Sequence, residues 1–209
     1  MLSKQGFNLW ADGYDQSVQL SEERNEYPFA GYKAILNAIY QEIRMSPGSS
    51  VLDIGIGTGV LTAKLAEHGH AITGIDFSES MLVHAKKRIP NGQFLQWDIH
   101  QGVPLSIPRA PFDAIVSTYT LHHLTDLAKF QLLKQVANYL KPDGVLYIGD
   151  TSFATRHSLE ECRKKNLHHW DDDEYYFVYE EIERALSNEF IMEYTQASHC
   201  GGWYKIKLR

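Results

Sequence analysis

The spacing of apolar positions changes three times along the chain. In residues 1–45, Phe29, Tyr32, Leu36, Ile39 and Ile43 recur at three- and four-residue steps, which predicts helix with one apolar face. Pro28 is expected near the start of that helix, where its missing N–H costs little. Ser46-Pro47-Gly48-Ser49 breaks the pattern. From residue 50, short apolar runs alternate with amphipathic stretches. Strands are predicted at 51–54, 71–75, 93–96, 114–117 and 145–149. Helices are expected from about Thr58 to Glu67, behind an N-cap at Ser78 with Met81, Leu82, Ala85 and Ile89 inward, and behind an N-cap at Thr125 as far as Leu140. Pro90 stops the second of these, and Lys141-Pro142-Asp143-Gly144 reads as a turn. Strands alternating with helices imply right-handed crossovers and a largely parallel sheet covered on both faces.

The tail has a different rhythm. Residues 155–187 read as helical, interrupted by an acidic and aromatic insert at 168–177. Two strands follow, at 190–195 and 203–208, joined by a turn containing Gly201-Gly202. Strands joined that tightly pair antiparallel. The expected architecture is one α/β domain with a doubly wound, mostly parallel seven-stranded sheet that ends in an antiparallel hairpin. Residues 1–45 form a helical N-terminal cap, 50–151 the core, 155–187 an insert or lid, and 190–209 the closing hairpin.

Composition narrows the classes. No run approaches the roughly 20 apolar residues of a spanning helix, so no membrane association is expected. Lys and Arg number 20 against 26 Asp and Glu, a net charge of -6 with no basic tract, which argues against a nucleic-acid partner. Cys162 and Cys200 form no CxxC pair, and the start of the chain has no uninterrupted apolar segment of a signal peptide. A reduced, cytoplasmic setting is the expectation.

The chemistry starts at VLDIGIGTG, residues 51–59. A strand runs into Gly55-x-Gly57-x-Gly59 and then into a helix, so the backbone can turn tightly and approach a ligand. Asp76 closes the second strand, where an acid can accept hydrogen bonds from ribose hydroxyls. Together these features point to an adenosine-containing cofactor at the C-terminal edge of a parallel sheet. A dinucleotide site wants G-x-G-x-x-G, but the third position of that pattern is Val60 here. Asp53 lies just before the loop, awkward beside a pyrophosphate and suited to a cationic amino group. An amino-acid–nucleoside cofactor is therefore favoured over a nicotinamide dinucleotide.

VLDIGIGTG, ITGIDFSESML, QWDIH, FDAIVSTYTLHHL and LKPDGVLYIGD, in that order, resemble the class I S-adenosylmethionine-dependent methyltransferases across residues 50–151. WADGYDQ resembles the entry segment of small stand-alone members, and the chain resembles the YrrT-like group among them. The resemblance implies a Rossmann-like sheet, S-adenosylmethionine as cofactor and S-adenosylhomocysteine as product. By position it implies that Gly55, Gly57 and Gly59 line the methionine half and the adenosine, and that Asp53 reaches the amino group. Asp76 would hold the ribose, Phe77 flank the adenine, and Asp98 and the Ile99 main chain read its edge. Ser117 and Tyr119, with Thr118 between them, would border the sulfonium, and Tyr14 and Trp10 would close the site.

Methyl transfer from a sulfonium is an in-line displacement that needs binding and orientation more than a protein nucleophile. A base is required only where the acceptor arrives protonated, and His122 and His123 are the candidates for base or pocket floor. The loop after the fourth strand is not the Asp/Asn-Pro-Pro-Tyr type, and neither cysteine follows that strand in a Pro-Cys motif. A small-molecule acceptor is the expectation. The other readings are a non-catalytic cofactor-binding regulator and an RNA methyltransferase. His168, His169 and Asp171 to Asp173 carry metal-ligating side chains, but adjacent residues rarely converge on one ion, so no metal is expected.

Overall fold

A computed structural model describes residues 14–107 and 111–209. Two helices come first, α1 (Tyr14–Glu23) and α2 (Tyr32–Arg44). The core follows as β1 (Ser50–Ile54), α3 (Val60–Glu67), β2 (Ala71–Asp76), α4 (Glu79–Arg88), β3 (Gln93–Gln96), β4 (Phe112–Thr118), α5 (Asp126–Ala137) and β5 (Leu140–Phe153). The tail is α6 (Arg156–Lys165), β6 (Phe177–Val178), α7 (Tyr179–Leu186), β7 (Phe190–Gln196) and β8 (Gly201–Leu208).

The strands lie in the order β3-β2-β1-β4-β5-β8-β7, with β6 pairing β5 off that path. β1 pairs β2 and β4 in parallel, β2 pairs β3 and β4 pairs β5 likewise, and β8 runs antiparallel to both β5 and β7. This is the expected mostly parallel sheet with a closing antiparallel hairpin, extended by the two-residue β6 within the insert. The winding direction reverses between β1 and β4, which opens a crevice beyond their C-terminal ends.

Alternation along the strands supplies both faces of the core. Leu52, Ile115 and Leu146 go to one face, with Leu132, Leu133 and Val136 of α5. Val51, Val116 and Tyr147 go to the other, with Ile35 and Ile39 of α2 and Leu61 and Leu65 of α3. A third cluster joins Tyr27 and Ala30 to Phe153, Leu159, Tyr176 and Cys200, with Trp170 against it. It fastens the insert to the turn that precedes α2.

Local signals place several elements closely. Ser78 caps α4 by accepting from Met81 N–H at 3.2 Å, and Thr125 caps α5 by accepting from Ala128 N–H at 3.3 Å. Other boundaries move. The N-terminal helix divides in two, and Pro28 sits in the intervening turn, preceded by a cis peptide bond, rather than in the first turn of α2. Gly59 rather than Thr58 precedes α3, and α5 ends at Ala137. Lys141 to Gly144 do not separate elements. They bulge from β5, where Phe112 faces Leu140 but Ala114 faces Val145. Gly201 and Gly202 open β8 opposite Thr151 and Asp150, so the hairpin turn lies just before them. Residues 155–187 hold α6 and α7 with turns and β6 between.

Candidate functional site

The crevice beyond β1, β2 and β4 is a cavity of about 630 Å³. Its floor is the glycine loop. Gly55, Gly57 and Gly59 all have positive φ, at 74°, 54° and 78°. Gly55 and Ile56 N–H donate to Ile75 O at 2.8 and 2.9 Å, which pins the loop to β2. A side chain on Gly55 would meet Thr120 at 2.2 Å, whereas one on Gly57 would meet nothing within 4 Å among the described residues. Gly57 is therefore a bare stretch of backbone bordering open space. Gly59 does not line the cavity. It caps α3 in the left-handed conformation and lies against Ala85 and Ile89 of α4.

Three carboxylates border the cavity. Asp53, at the end of β1, is 2% exposed. Its Oδ2 accepts from Thr62 Oγ1 at 3.1 Å, while Oδ1 has no partner among the described residues. Burial pushes its pKa up to about 7, against the Thr62 hydrogen bond. Asp76, at the end of β2, accepts from Gly57 N–H at 2.9 Å and Ser78 N–H at 2.8 Å. Burial outweighs those donors and raises its pKa to about 6. Asp98 follows β3 and caps a short 3₁₀ turn (Ile99–Gln101), its Oδ1 accepting from His100 N–H at 2.9 Å. Phe77 and Ile99 line the same end.

The opposite wall comes from β4 and α2. Tyr119 is buried with φ 49°, its ring 5.5 Å from that of Phe29 and 5.0 Å from that of Tyr32. Ser117 does not reach the cavity. Its hydroxyl donates to Ile54 O at 2.7 Å, inside the sheet, and Thr118 and Thr120 line the wall instead. Tyr32 and Trp97 also line the cavity without having been singled out from the sequence. Tyr32 was placed on the apolar face of its helix, and that face serves both the core and the cavity. The side chain of Tyr14, first residue of α1, and all of Trp10 lie outside the described residues.

The histidine pair is split. His123 lines the cavity and His122 does not. His122 Nδ1 donates to Asp150 Oδ1 at 2.6 Å, both side chains buried. Burial opposes its charge most strongly, yet the Asp150 and Glu174 carboxylates together outweigh it and its pKa rises. Burial and the neighbouring His122 push His123 down to about 2. The insert reaches this pair. Glu174 Oε1 lies 3.6 Å from His122 Nε2 and 3.8 Å from His123 Nδ1, and Tyr175 N–H donates to His122 O at 2.7 Å. His168 and His169 are exposed and Asp172 pairs with Arg163 at 2.7 Å. Among the described residues, His122, His123 and Glu174 are the one group of such side chains close enough to share an ion.

A family profile described as "Methyltransferase domain" matches residues 51–144. An uncharacterized methyltransferase of Geobacillus sp. (strain WCH70) is 37% identical over 204 residues, covering 91% of this chain and 90% of that one. The uncharacterized methyltransferase YrrT of Bacillus subtilis (strain 168) is 34% identical over 200 residues, covering 91% and 90%. Among solved structures, DhpI in complex with SAH superposes with a TM-score of 0.71 at 17% identity, over 98% of this chain and 94% of that one. That likeness is one of fold.

Proposed function

The chain belongs to the class I S-adenosylmethionine-dependent methyltransferases, and on that premise we propose that it methylates a small-molecule acceptor by in-line displacement. One observation carries the cofactor assignment. Asp53 presents a buried carboxylate oxygen that has no partner among the described residues, and it lines the same cavity as the Gly57 backbone. An unpartnered buried acceptor is costly, and the α-amino group of S-adenosylmethionine would satisfy it. The nicotinamide dinucleotides offer no such cation at that position.

The cofactor, once bound, supplies the activated methyl group. The chain's part is to hold it and to orient the acceptor. In this reading Asp53 and the Gly55–Gly57 backbone hold the methionine half. Asp76 takes the ribose hydroxyls with the lone pairs that Gly57 and Ser78 leave available. Phe77, Asp98 and Ile99 take the adenine. Tyr119 and Tyr32 wall the sulfur end and keep water out. Gly59 acts through α3–α4 packing, and Ser117 through the sheet. Of the two histidines only His123 borders the cavity, and it is the one that faces the acceptor.

Residues 155–187 are proposed as a lid on the acceptor side, because Glu174 and Tyr175 fasten it to the turn that carries both histidines. The acidic balance and this partial cover support a small acceptor over RNA. No helix among the described residues is long and apolar enough to cross a membrane. Cys162 and Cys200 are buried free thiols, which supports placing the activity in the cytoplasm.

The test is calorimetric titration with S-adenosylmethionine and S-adenosylhomocysteine, with NADH and NADPH as controls. Micromolar binding of the sulfur cofactors alone is the expected result. Preference for a nicotinamide, or no sulfur-cofactor binding, would overturn the assignment. Release of S-adenosylhomocysteine across a panel of small hydroxyl, amine and thiol acceptors then identifies the acceptor class, and turnover on RNA alone would reject the small-molecule reading.

A further inference from the structure

We propose that His122, His123 and Glu174 form a site for a divalent first-row transition-metal ion, with zinc as the reference ion, at the acceptor side of the cavity. Three donor atoms, one from each residue, lie within 4.8 Å of one another. Two of the separations are 3.6 Å, from His122 Nε2 to Glu174 Oε1, and 3.8 Å, from His123 Nδ1 to the same oxygen. Donors bound tetrahedrally to one ion at about 2.0–2.2 Å sit roughly 3.4 Å apart. The two separations to Glu174 exceed that value by only a few tenths of an ångström.

The surrounding hydrogen bonds aim these atoms. His122 Nδ1 donates to Asp150 Oδ1 at 2.6 Å, which turns Nε2 toward Glu174. Asp150 is itself fixed, accepting from Thr151 N–H at 2.8 Å and His122 N–H at 3.3 Å. On the other side Tyr176 donates its hydroxyl to Glu174 Oε2 at 2.6 Å, and the Tyr176 hydroxyl is also hydrogen-bonded to that of Tyr27. That leaves Oε1 for the histidines. A carboxylate behind a ligating imidazole and a phenol behind a ligating carboxylate are the usual supports of a metal site. With Nδ1 of His122 donating to Asp150, a cation between His122 Nε2 and Glu174 Oε1 would satisfy both atoms. A proton is the competing occupant, and the experiment separates the two.

Two imidazole nitrogens and one carboxylate oxygen leave a fourth position open. His123 lines the cavity, so that position borders it. Resting on the methyl-transfer reading, the ion would bind the acceptor's nucleophilic atom and lower its pKa, the task a histidine base would otherwise perform. The motif LHHL alone does not show this, because Glu174 comes from the distant insert.

The experiment uses the full chain, stripped with a chelator and then titrated with Co²⁺ and, in competition, Zn²⁺. One equivalent of Co²⁺ with the intense visible band of a four-coordinate site, displaced by one equivalent of Zn²⁺, is expected. Glu174→Gln keeps the side-chain shape and the Tyr176 contact, and should weaken binding at least tenfold, as should His123→Ala. The His168→Ala/His169→Ala double variant should bind as the parent does. No stoichiometric band, or a band lost with His168 and His169 and retained in Glu174→Gln, would overturn the site. Thermal melts show which variants are folded. S-adenosylmethionine affinity of the stripped chain should be unchanged. Its absence there would count against the cofactor assignment and leave the metal result standing.

Discussion

Asp76 Oδ2 accepts a hydrogen bond from Gly57 N–H at 2.9 Å, so the last residue of β2 holds the shape of the loop that follows β1. The same carboxylate borders the cavity. Its two tasks predict two phenotypes. Asp76→Ala loses the loop tie and the ribose contact. Charge-assisted hydrogen bonds are worth about 1.5–3 kcal/mol, so cofactor affinity should fall roughly 10- to 100-fold. Asp76→Asn keeps an oxygen for Gly57 and should fall less. Calorimetry distinguishes them, and unchanged affinity in the alanine variant would remove Asp76 from the ribose site.

Gly55 and Gly57 share a left-handed backbone but differ in surroundings. A methyl at Gly55 would strike Thr120 at 2.2 Å, and one at Gly57 meets no atom of the described residues within 4 Å. Each alanine carries about 1–2 kcal/mol of backbone strain. Gly55→Ala adds a clash and should lower the thermal midpoint markedly. Gly57→Ala should lower it by only about 2–8 °C while cutting cofactor affinity, because its methyl occupies the cradle. If Gly57→Ala binds the cofactor as the parent does, the loop is not the cradle.

Asp53 gives a pH signature. Its pKa is 3.8 in an open chain and is raised by burial to about 7 in the fold. The folded state therefore holds its proton longer, and stability falls as pH rises from about 4 through about 7. Asp76, raised to about 6, acts in the same direction, and Thr62 opposes the shift at Asp53. A bound cationic amino group reverses the balance by favouring the carboxylate. Protons should then be released on binding below about pH 7, with affinity rising as pH rises. Calorimetry in buffers of different ionisation enthalpy measures that release. Asp53→Asn should reduce it and flatten the pH dependence of the melting temperature. A release unaltered in Asp53→Asn would place the coupling elsewhere.

What could be read from the chain was what local chemistry determines. Gly55, Gly57, Asp76 and the Ser78 cap sit within a few residues of the turns they shape and fall where their patterns placed them, whereas Gly59 caps α3 and does not line the cavity. Lys141 to Gly144 carry good turn chemistry, but parallel pairing with β4 on both sides makes them a bulge within one strand. Gly201 and Gly202 resemble a hairpin turn, yet pairing with Thr151 and Asp150 extends β8 through them. Ser117 showed the same limit. Alternation along β4 turns it toward Ile54, away from the cavity its neighbours line. The partners of His122 were illegible for a stronger reason. Asp150 comes from β5 and Glu174 from the insert, and only the folded sheet brings them to one histidine.

Aromatic contact joins the insert to the turn before α2. Trp170 stacks on Tyr27 with ring centroids 5.1 Å apart and meets Tyr176 edge-on at 4.9 Å. Tyr176 in turn positions Glu174. Trp170→Ala removes the stack and opens a gap beneath the insert. Because Trp170 is only partly buried, the cost should be about 2 kcal/mol, or roughly 4–8 °C in melting temperature. The glycine loop and the three cavity aspartates lie outside this cluster, and none of its residues lines the cavity, so cofactor affinity should stay within about twofold. Loosening should appear instead as faster proteolysis within residues 166–176 and, once an acceptor is known, as a higher KM for it. A large fall in cofactor affinity with unchanged proteolysis would mean that the insert supports the cofactor pocket and does not cover the acceptor.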